Sequence, residues 1–163
     1  IVSMSEIAWS WVGAFCGILA VAYVNFGFLE GTDLVFIVGS FGASAVLIYG
    51  AVSSPLAQPR NLIGGHLVSA VIGVASYQMF GDIAWFASAF SVSTAIAAMH
   101  ATKTLHPPGG ATALIAVIGS DNIHALGYYY VLMPIGAGAL VMLAIALIVN
   151  NLCPTRRYPE FWL

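Results

Sequence analysis

Charge is the scarcest property of this 163-residue sequence, because only 6% of its residues are Asp, Glu, Lys or Arg while 61% are hydrophobic. In soluble domains about one quarter of the residues are charged. The few charged side chains of this sequence therefore cannot cover a water-facing surface. This composition excludes a soluble enzyme, a nucleic-acid-binding protein and a disordered segment. A mean hydropathy of +0.98 instead indicates an integral membrane protein, with one domain over residues 1–163.

Cysteines and metal-binding patterns are equally scarce. Cys16 and Cys153 lie far apart in the sequence, which predicts neither a disulfide framework nor a redox pair. The four histidines occur without paired cysteines or an HExxH pattern, so we expect no metal and no cofactor. The acids are confined to predicted loops and tails, so no histidine has an acid partner in its own block. We therefore expect neither an enzyme with catalytic residues nor a cation channel.

The ten charged residues divide the sequence into long apolar blocks. Six charge-free blocks of 17 to 34 residues separate them. A helix needs about 20 apolar residues to cross about 30 Å of hydrocarbon, and the blocks lack the alternation of barrel strands. The sequence therefore predicts an all-α polytopic transmembrane bundle with five or six spans, near residues 7–28, 34–52, 62–80, 84–102, 107–119 and 128–149.

The signs of the loop charges alternate along the chain. With six crossings, the acidic loops fall on one side and all basic residues on the other: Glu30, Asp33, Asp82 and Asp121 against Arg60, Lys103, Arg156 and Arg157. The positive-inside rule then places both termini in the cytoplasm or stroma, although four basic residues are a small sample. Since Ile1 is followed by no basic region or cleavage site, we expect the first block to be a helix and not a leader peptide.

Two Pro/Gly interruptions share one order of residues. The segments are SSPLAQPRNLIGGHLVSAVIG (53–73) and TKTLHPPGGATALIAVIG (102–119). In each, proline precedes Gly-Gly, and a helix rich in small residues then ends on Ala-Val-Ile-Gly. Aligning the glycine pairs places Asn61 opposite His106. We interpret the segments as an internal two-helix repeat with interrupted helices, a pattern that marks the binding site in transporters.

The HPPGG segment (106–110) has the features of an anion site. Its prolines suit a first helical turn, with Thr104 or His106 available as the cap, and its glycines leave backbone amides open to a ligand. Free N–H groups and the helix dipole attract anions, and nearby cationic side chains add to this attraction. The predicted substrate-binding residues are Arg60, Asn61, Gly64, Gly65, His66, Lys103, His106, Pro107, Pro108, Gly109 and Gly110.

Most of these candidates also have a structural interpretation. His106 binds the anion, relays a proton or only caps its helix, and His66 is either a pore-facing donor or bonded to a neighbouring carbonyl. Arg60 and Lys103 either line the site or only set the topology. Because ionisable residues are costly within a bilayer, we favour a functional role for His106. His100 is expected to pack at the end of its helix and His124 to be solvated.

Hydroxyl side chains and helix length leave two further alternatives. Serines and threonines within the blocks either line a polar path or bond their own backbone four residues back; these are Ser40, Ser44, Ser69, Ser91, Ser93, Thr94 and Thr112. The segment 107–119 is about 20 Å long as a helix. Its start therefore lies either in a cavity below the lipid surface, which we favour, or at a shallow depth if flanking residues extend the span.

The runs LHPPGGATAL (105–114) and SPLAQPRNLIGGHL (54–67) resemble the HPP family of integral membrane proteins, and the resemblance covers roughly residues 10–150. It implies import of nitrite or another small anion, and four spans where the charges predict five or six. Some relatives carry CBS domains; since this sequence contains none, we expect no nucleotide regulation within it.

We therefore expect a transporter of a small monovalent anion, which the resemblance identifies as nitrite, with nitrate as a second candidate. The alternative is a non-transporting membrane anchor or sensor. The resemblance favours a bacterial inner membrane or a plastid envelope. The expected partners are the anion, membrane lipid and further copies of the chain, because small residues let helices associate closely; no nucleic acid is expected. Channel or carrier behaviour and proton coupling stay open.

Overall fold

A computed structural model describes residues 3–28 and 38–162 of the chain, and all regular structure in them is helical. The predicted loop at Glu30 and Asp33 and the beginning of the predicted span 34–52 lie outside these residues. The described part contains a 3-10 turn at Pro55–Ala57 and seven helices, namely α1 Met4–Phe28, α2 Ser40–Gly50, α3 Pro59–Phe80, α4 Ala84–Ala101, α5 Pro107–Ile118, α6 Asp121–Leu126 and α7 Val131–Leu152.

Four of these helices are long and apolar enough to cross a bilayer, and they are α1, α3, α4 and α7. The two shorter apolar helices, α2 and α5, coincide with the other two predicted segments. With 12 residues, α5 is about 18 Å long, which is well short of the hydrocarbon thickness. The predicted helical membrane bundle is confirmed, with long and short helices side by side.

The surface of the bundle is apolar and its interior is partly polar, which is the arrangement that a lipid environment favours. Large side chains on the outer faces of the long helices are exposed, among them Trp11, Phe15, Leu19, Leu140 and Ile148. Polar side chains are fully buried between the helices, including Ser40, Ser44, His66, His106 and Thr112.

Helices α3 and α5 begin alike but differ in length. Each has a proline in its first turn, at Pro59 and Pro107, where the missing N–H costs no hydrogen bond. The Ala-Val-Ile-Gly motif ends α5, with Gly119 as the C-cap, whereas α3 continues through Gly73 to Phe80. The motif is therefore a helix end only in α5, and α3 continues to the end of the predicted span 62–80. In α3, Gly73 instead allows contact with α5, because a Cβ there would lie 2.7 Å from the Ala113 carbonyl oxygen.

A third interruption occurs near the start of α7. The backbone of Met133 leaves the helical region, at φ −137° and ψ 119°, and Pro134 follows it. The break lies within the predicted span 128–149, which the charge pattern marks as uninterrupted; the signal for it is the proline inside a long apolar block.

The chain termini meet at the end of the bundle where α3 and α5 begin. The Tyr158 hydroxyl donates to the Ala57 carbonyl oxygen (2.8 Å), and the Glu160 N–H donates to the Gln58 side-chain oxygen (2.8 Å). Burial raises the pKa of Tyr158, so its hydroxyl stays a donor. The Arg156 guanidinium also contacts α1, forming an ion pair with Glu6. These contacts place the tail beside the segment that leads into α3.

The contact between α4 and α5 provides a first test of the packing. The Ser91 hydroxyl is fully buried and donates to the Ala113 carbonyl oxygen across the helices (3.0 Å), whereas the Ser93 hydroxyl donates to Ala89, in its own helix (2.8 Å). We expect Ser91→Ala to lower the free energy of unfolding by about 1 kcal/mol, since the buried hydrogen bond between the two helices is lost. Ser93→Ala is the matched control and should change it little. Thermal unfolding in detergent measures both, and equal losses would contradict this assignment.

Candidate functional site

The first turns of α3 and α5 lie side by side and are tied together by reciprocal hydrogen bonds. The His106 Nδ1–H donates to the Leu56 carbonyl oxygen just before α3 (2.8 Å). The Asn61 side-chain amide donates to the Leu105 carbonyl oxygen just before α5 (2.8 Å). Asn61 and His106, which the repeat alignment places opposite each other, thus bridge the two helix starts. The positive ends of two helix dipoles consequently share one end of the bundle.

Two histidines share one serine hydroxyl between these helices. Ser44 Oγ on α2 lies 2.7 Å from His66 Nε2 and 2.9 Å from His106 Nε2. All three side chains are buried with no exposed surface. The two imidazole rings meet edge to face, with centroids 5.0 Å apart. His66 therefore bonds hydroxyl groups and not a neighbouring carbonyl, so the second alternative from the sequence is wrong.

The network continues from His66 into α5 and α2. His66 Nδ1 lies 2.7 Å from Thr112 Oγ1, and the Thr112 hydroxyl donates to Ser40 Oγ (2.8 Å). The Tyr130 hydroxyl, which the sequence analysis did not consider, donates to the Thr112 carbonyl oxygen (3.0 Å). Phe41 meets His66 edge to face at 5.5 Å between ring centroids. Three helices thus enclose a continuous chain of hydrogen bonds.

The glycines between α3 and α5 allow close helix contact. A Cβ on Gly65 would lie 2.5 Å from His106 Cβ, and one on Gly109 would lie 2.7 Å from Ser69 Oγ and 2.9 Å from the Gly65 carbonyl oxygen. The Gly109 N–H donates to the His106 carbonyl oxygen (2.8 Å), so it is not an open amide. The interpretation of Gly109 as a position for close ligand approach therefore gives way to a packing role.

The other residues of the two motifs occupy more open positions. A Cβ on Gly110 would meet nothing closer than Val92 Cγ1 at 3.8 Å, whereas one on Gly64 would meet the Thr104 methyl group at 2.5 Å. Pro108 is buried, but Pro107 is exposed and lies between two apolar grooves of about 580 and 390 Å³. These grooves suit lipid or another apolar surface better than a hydrated anion.

The cations lie around the paired helix starts. Arg60, in the first turn of α3, is half-buried, and its Nε is buried without a hydrogen-bond partner. Lys103 is exposed and adopts the left-handed conformation, with φ 56°. Its N–H and that of Thr104 bond the carbonyls of His100 (3.2 Å) and Met99 (2.8 Å), the paired bonds of a Schellman C-cap. Thr104 then packs on Gly64, which brings this loop to α3.

Three smaller expectations from the sequence are wrong. His106 occupies the N-cap position of α5, but neither it nor Thr104 caps the helix: the His106 side chain makes no cap hydrogen bond, and the Thr104 hydroxyl bonds that of Thr102 (2.7 Å). His124 is half-buried and stacks on Tyr77, with the ring centroids 3.7 Å apart. Its Nε2 donates to the Val117 carbonyl oxygen (3.1 Å), so His124 is not merely solvated. His100 is exposed and lines the larger apolar groove.

Comparison with known proteins places this architecture in a family. The model of the HPP transmembrane region matches residues 1–159. The chain belongs to the HPP transmembrane family. It is similar to two Dictyostelium discoideum proteins, each named only as a transmembrane protein: it is 48% identical to one over 163 residues and 46% identical to the other over 162 residues.

Each of these alignments covers 98% of this chain but only 52% and 56% of the respective relative. The HPP transmembrane region therefore spans about half the length of the curated relatives it matches. No solved structure gives a significant match.

In this HPP region the hydroxyl side chains divide between the two roles that the sequence left open. Ser40, Ser44 and Thr112 join the histidine network, whereas Ser93 bonds its own backbone. Ser69 is buried on the α3 face toward Gly109, and its hydroxyl has no hydrogen-bond partner. The interior of the HPP region is thus polar along α3. The rotation of each helix about its axis, and not a local sequence motif, decides which polar side chains face this interior.

A polar pocket of about 260 Å³ lies at the same end of the HPP region, where the tail meets α1 and α2. It is lined by Arg156 and Arg157 but also by Glu6 and Glu160. Because the carboxylates balance the guanidinium groups, this pocket has no excess of positive charge, and it is a weaker anion site than the paired helix starts.

Proposed function

We propose that this HPP region transports a small monovalent anion, with nitrite as the leading candidate and nitrate as the second. The observation that carries the proposal is the pairing of the α3 and α5 starts beside Arg60, whose buried Nε lacks a partner. A buried, unpaired guanidinium N–H is costly unless an acceptor binds it. An anion that approaches this end meets two positive helix termini and a planar donor group.

The remaining predicted site residues contribute in different ways to this proposal. Lys103 supplies a second positive charge at the entrance, and Asn61 and His106 hold the two helix starts together. Gly64, Gly65 and Gly109 keep the helices close, while Pro107 and Pro108 start α5. Gly110 has open space around it but lines the larger apolar groove, so we assign it no contact with the anion. His66 extends the polar path inward.

The proposed orientation follows from where the cations lie. Arg60, Lys103 and the Arg156–Arg157 tail all belong to the end at which α3 and α5 begin. The positive-inside rule places this end, with both termini, in the cytoplasm or the stroma. An anion site here would face the interior compartment in one state of a transport cycle.

Flux through proteoliposomes tests the proposal. We expect Arg60→Gln to lower nitrite flux by roughly tenfold or more, because a charged donor to the anion is lost. Arg157→Gln is the matched control, since Arg157 is exposed, and should keep the parental rate. Parental flux in Arg60→Gln would refute the placement of the site.

A Lys103→Gly variant separates charge from stability at the entrance. Glycine suits the left-handed backbone of this position better than lysine does, so the variant should be as stable as the parent or more so, by up to about 1 kcal/mol. Its flux should nevertheless fall several-fold, and the difference should shrink at high ionic strength because exposed charges are screened. Unchanged flux at low salt would assign Lys103 to topology alone.

A non-transporting membrane anchor or sensor is the second candidate. It is favoured by the tight contact of Gly65 and Gly109 in the interior and by relatives about twice as long as this chain. A ligand that binds the folded state raises its melting temperature. Stabilisation by nitrite or nitrate that Arg60→Gln abolishes would support transport, whereas indifference to nitrite, nitrate and chloride without flux would support the anchor.

A further inference from the structure

We infer that His66, Ser44 and His106 form a binding site for a single proton, and that this proton accompanies the transported anion. The proton site follows from hydrogen-bond geometry alone. The coupling to the anion rests on the proposed function.

One end of the network has a fixed donor. A carbonyl oxygen only accepts hydrogen bonds, so His106 must carry its hydrogen on Nδ1, 2.8 Å from the Leu56 oxygen. A neutral imidazole has one N–H. Nε2 of neutral His106 therefore carries a lone pair and no hydrogen, and it lies 2.9 Å from Ser44 Oγ.

The other end is set by Thr112. Its hydroxyl donates to Ser40 Oγ (2.8 Å), with the Pro108 carbonyl as a longer alternative acceptor (3.4 Å). A hydroxyl has only one hydrogen, so while Thr112 donates to either of these acceptors, His66 Nδ1 donates to Thr112 across 2.7 Å. Nε2 of neutral His66 then also presents a lone pair to Ser44, at 2.7 Å.

With both rings neutral and this tautomer of His66, the hydrogen bonds of Ser44 lack one hydrogen. Its single hydroxyl hydrogen lies between two lone pairs, and it can satisfy only one of them. One added proton removes the conflict: the ring that receives it donates from Nε2 to Ser44, and Ser44 donates to the other ring. His66 and His106 are equivalent in this respect, so the proton can pass between them through Ser44.

A second complete pattern exists without the added proton. In it the Ser40 hydroxyl donates to Thr112, Thr112 donates to His66 Nδ1, His66 Nε2–H donates to Ser44, and Ser44 donates to His106. The two patterns differ by one proton and by the rotation of the Ser40 and Thr112 hydroxyls. The network is therefore a two-state element that takes up one proton at a time.

Charge explains why the proton would travel with an anion. No described carboxylate forms a hydrogen bond with either ring. The other titratable or charged groups nearby are the half-buried Arg60 on α3, the exposed Lys103 and the Tyr130 hydroxyl. The Tyr130 hydroxyl donates to the Thr112 carbonyl oxygen. A proton on the buried pair would be an uncompensated charge in an apolar bundle, which is costly. A monovalent anion at the adjacent helix starts offsets this charge, so each of the two ions favours binding of the other.

Proton and anion movement in proteoliposomes tests the coupling. A nitrite gradient should acidify vesicles that contain a pH dye, with the membrane potential clamped at zero, and a nitrate gradient should do the same without a membrane-permeant acid. Protein-free vesicles report leakage of nitrous acid. We expect Ser44→Ala to lower the coupled proton flux by roughly a hundredfold or more, the usual effect of losing a group that transfers a proton. The control is Ser76→Ala, which removes a buried serine that bonds its own helix at Ile72 (2.7 Å) and should leave this flux unchanged.

Nitrogen-15 NMR of the imidazoles tests the proton site without transport. With nitrate present, His66 and His106 should together take up one proton as the pH is lowered, with a common midpoint that nitrate raises, and His106 should keep its Nδ1–H throughout. The signals are assigned with His66→Asn and His106→Asn variants.

Each result decides a separate claim. Independent titration of the two rings, or no uptake by either ring while the protein stays folded, would overturn the proton site. Anion currents without proton movement would overturn the coupling and leave anion transport standing. Absence of any anion flux would refute the proposed function and with it the coupling, while the NMR titration still decides the proton site.

Discussion

Replacing Arg156 with alanine is expected to lower the free energy of unfolding by roughly 3 kcal/mol, the lower end for a broken buried ion pair because Glu6 is one third exposed. The Arg156 guanidinium donates to the Tyr49 and Glu6 carbonyl oxygens (3.1 and 3.0 Å), to Asn150 Oδ1 (3.1 Å) and to Ser10 Oγ (2.7 Å). Its loss leaves several of these acceptors unpaired and detaches the tail from α1. Thermal or denaturant unfolding in detergent measures the change.

The neighbouring arginine is the natural control for this experiment. Arg157 is exposed, so Arg157→Ala should alter stability by less than about 0.5 kcal/mol. Arg156→Lys should recover only part of the loss, because an ammonium group cannot reach acceptors on both sides as the planar guanidinium does. If both alanine variants unfolded at the same temperature, Arg156 would not be the residue that joins the tail to α1.

Replacing Gly109 with alanine is expected to destabilise the bundle by about 1–3 kcal/mol, the usual cost of overfilling a close contact. The added methyl group would lie 2.7 Å from Ser69 Oγ, 2.9 Å from the Gly65 carbonyl oxygen and 3.0 Å from Met99 Sδ. Either α5 must move away from α3 or the side chains must shift. A lower melting temperature and weaker protection of α5 amides from hydrogen exchange report this change.

Gly110 offers a control one residue away. Its nearest neighbour would lie 3.8 Å from an added Cβ, so Gly110→Ala should be neutral or stabilising by up to about 1 kcal/mol, the gain in helix propensity. Its nitrite flux should stay at the parental rate, because Gly110 lines the larger apolar groove. Equal destabilisation by the two substitutions would contradict the packing assigned to Gly109.

The repeated motifs indicated where α3 and α5 begin because they carry local information. Proline in a first turn, followed by small residues, specifies where a helix begins and how closely it packs. The alignment of Asn61 with His106 consequently identified two side chains that bridge α3 and α5.

The histidine network was not predictable in the same way. Ser44 connects His66 and His106 only because α2 presents this face to both helices, and its rotation is fixed by contacts such as that of Phe41 with Gly138 on α7. The role of Gly109 was ambiguous for a related reason, since a missing Cβ serves a ligand and a neighbouring helix equally well. The break at Met133 was missed because the charge pattern marks only the ends of spans.

The contact of Arg156 with α1 decides where a domain fused to this region would lie. Because α1 begins and the tail after α7 returns beside the segment before α3, a domain attached at either terminus would emerge at the end of the bundle where α3 and α5 begin. A soluble appendage there would lie beside the proposed anion site, so its own movements would change access to that site without any rearrangement of the helices.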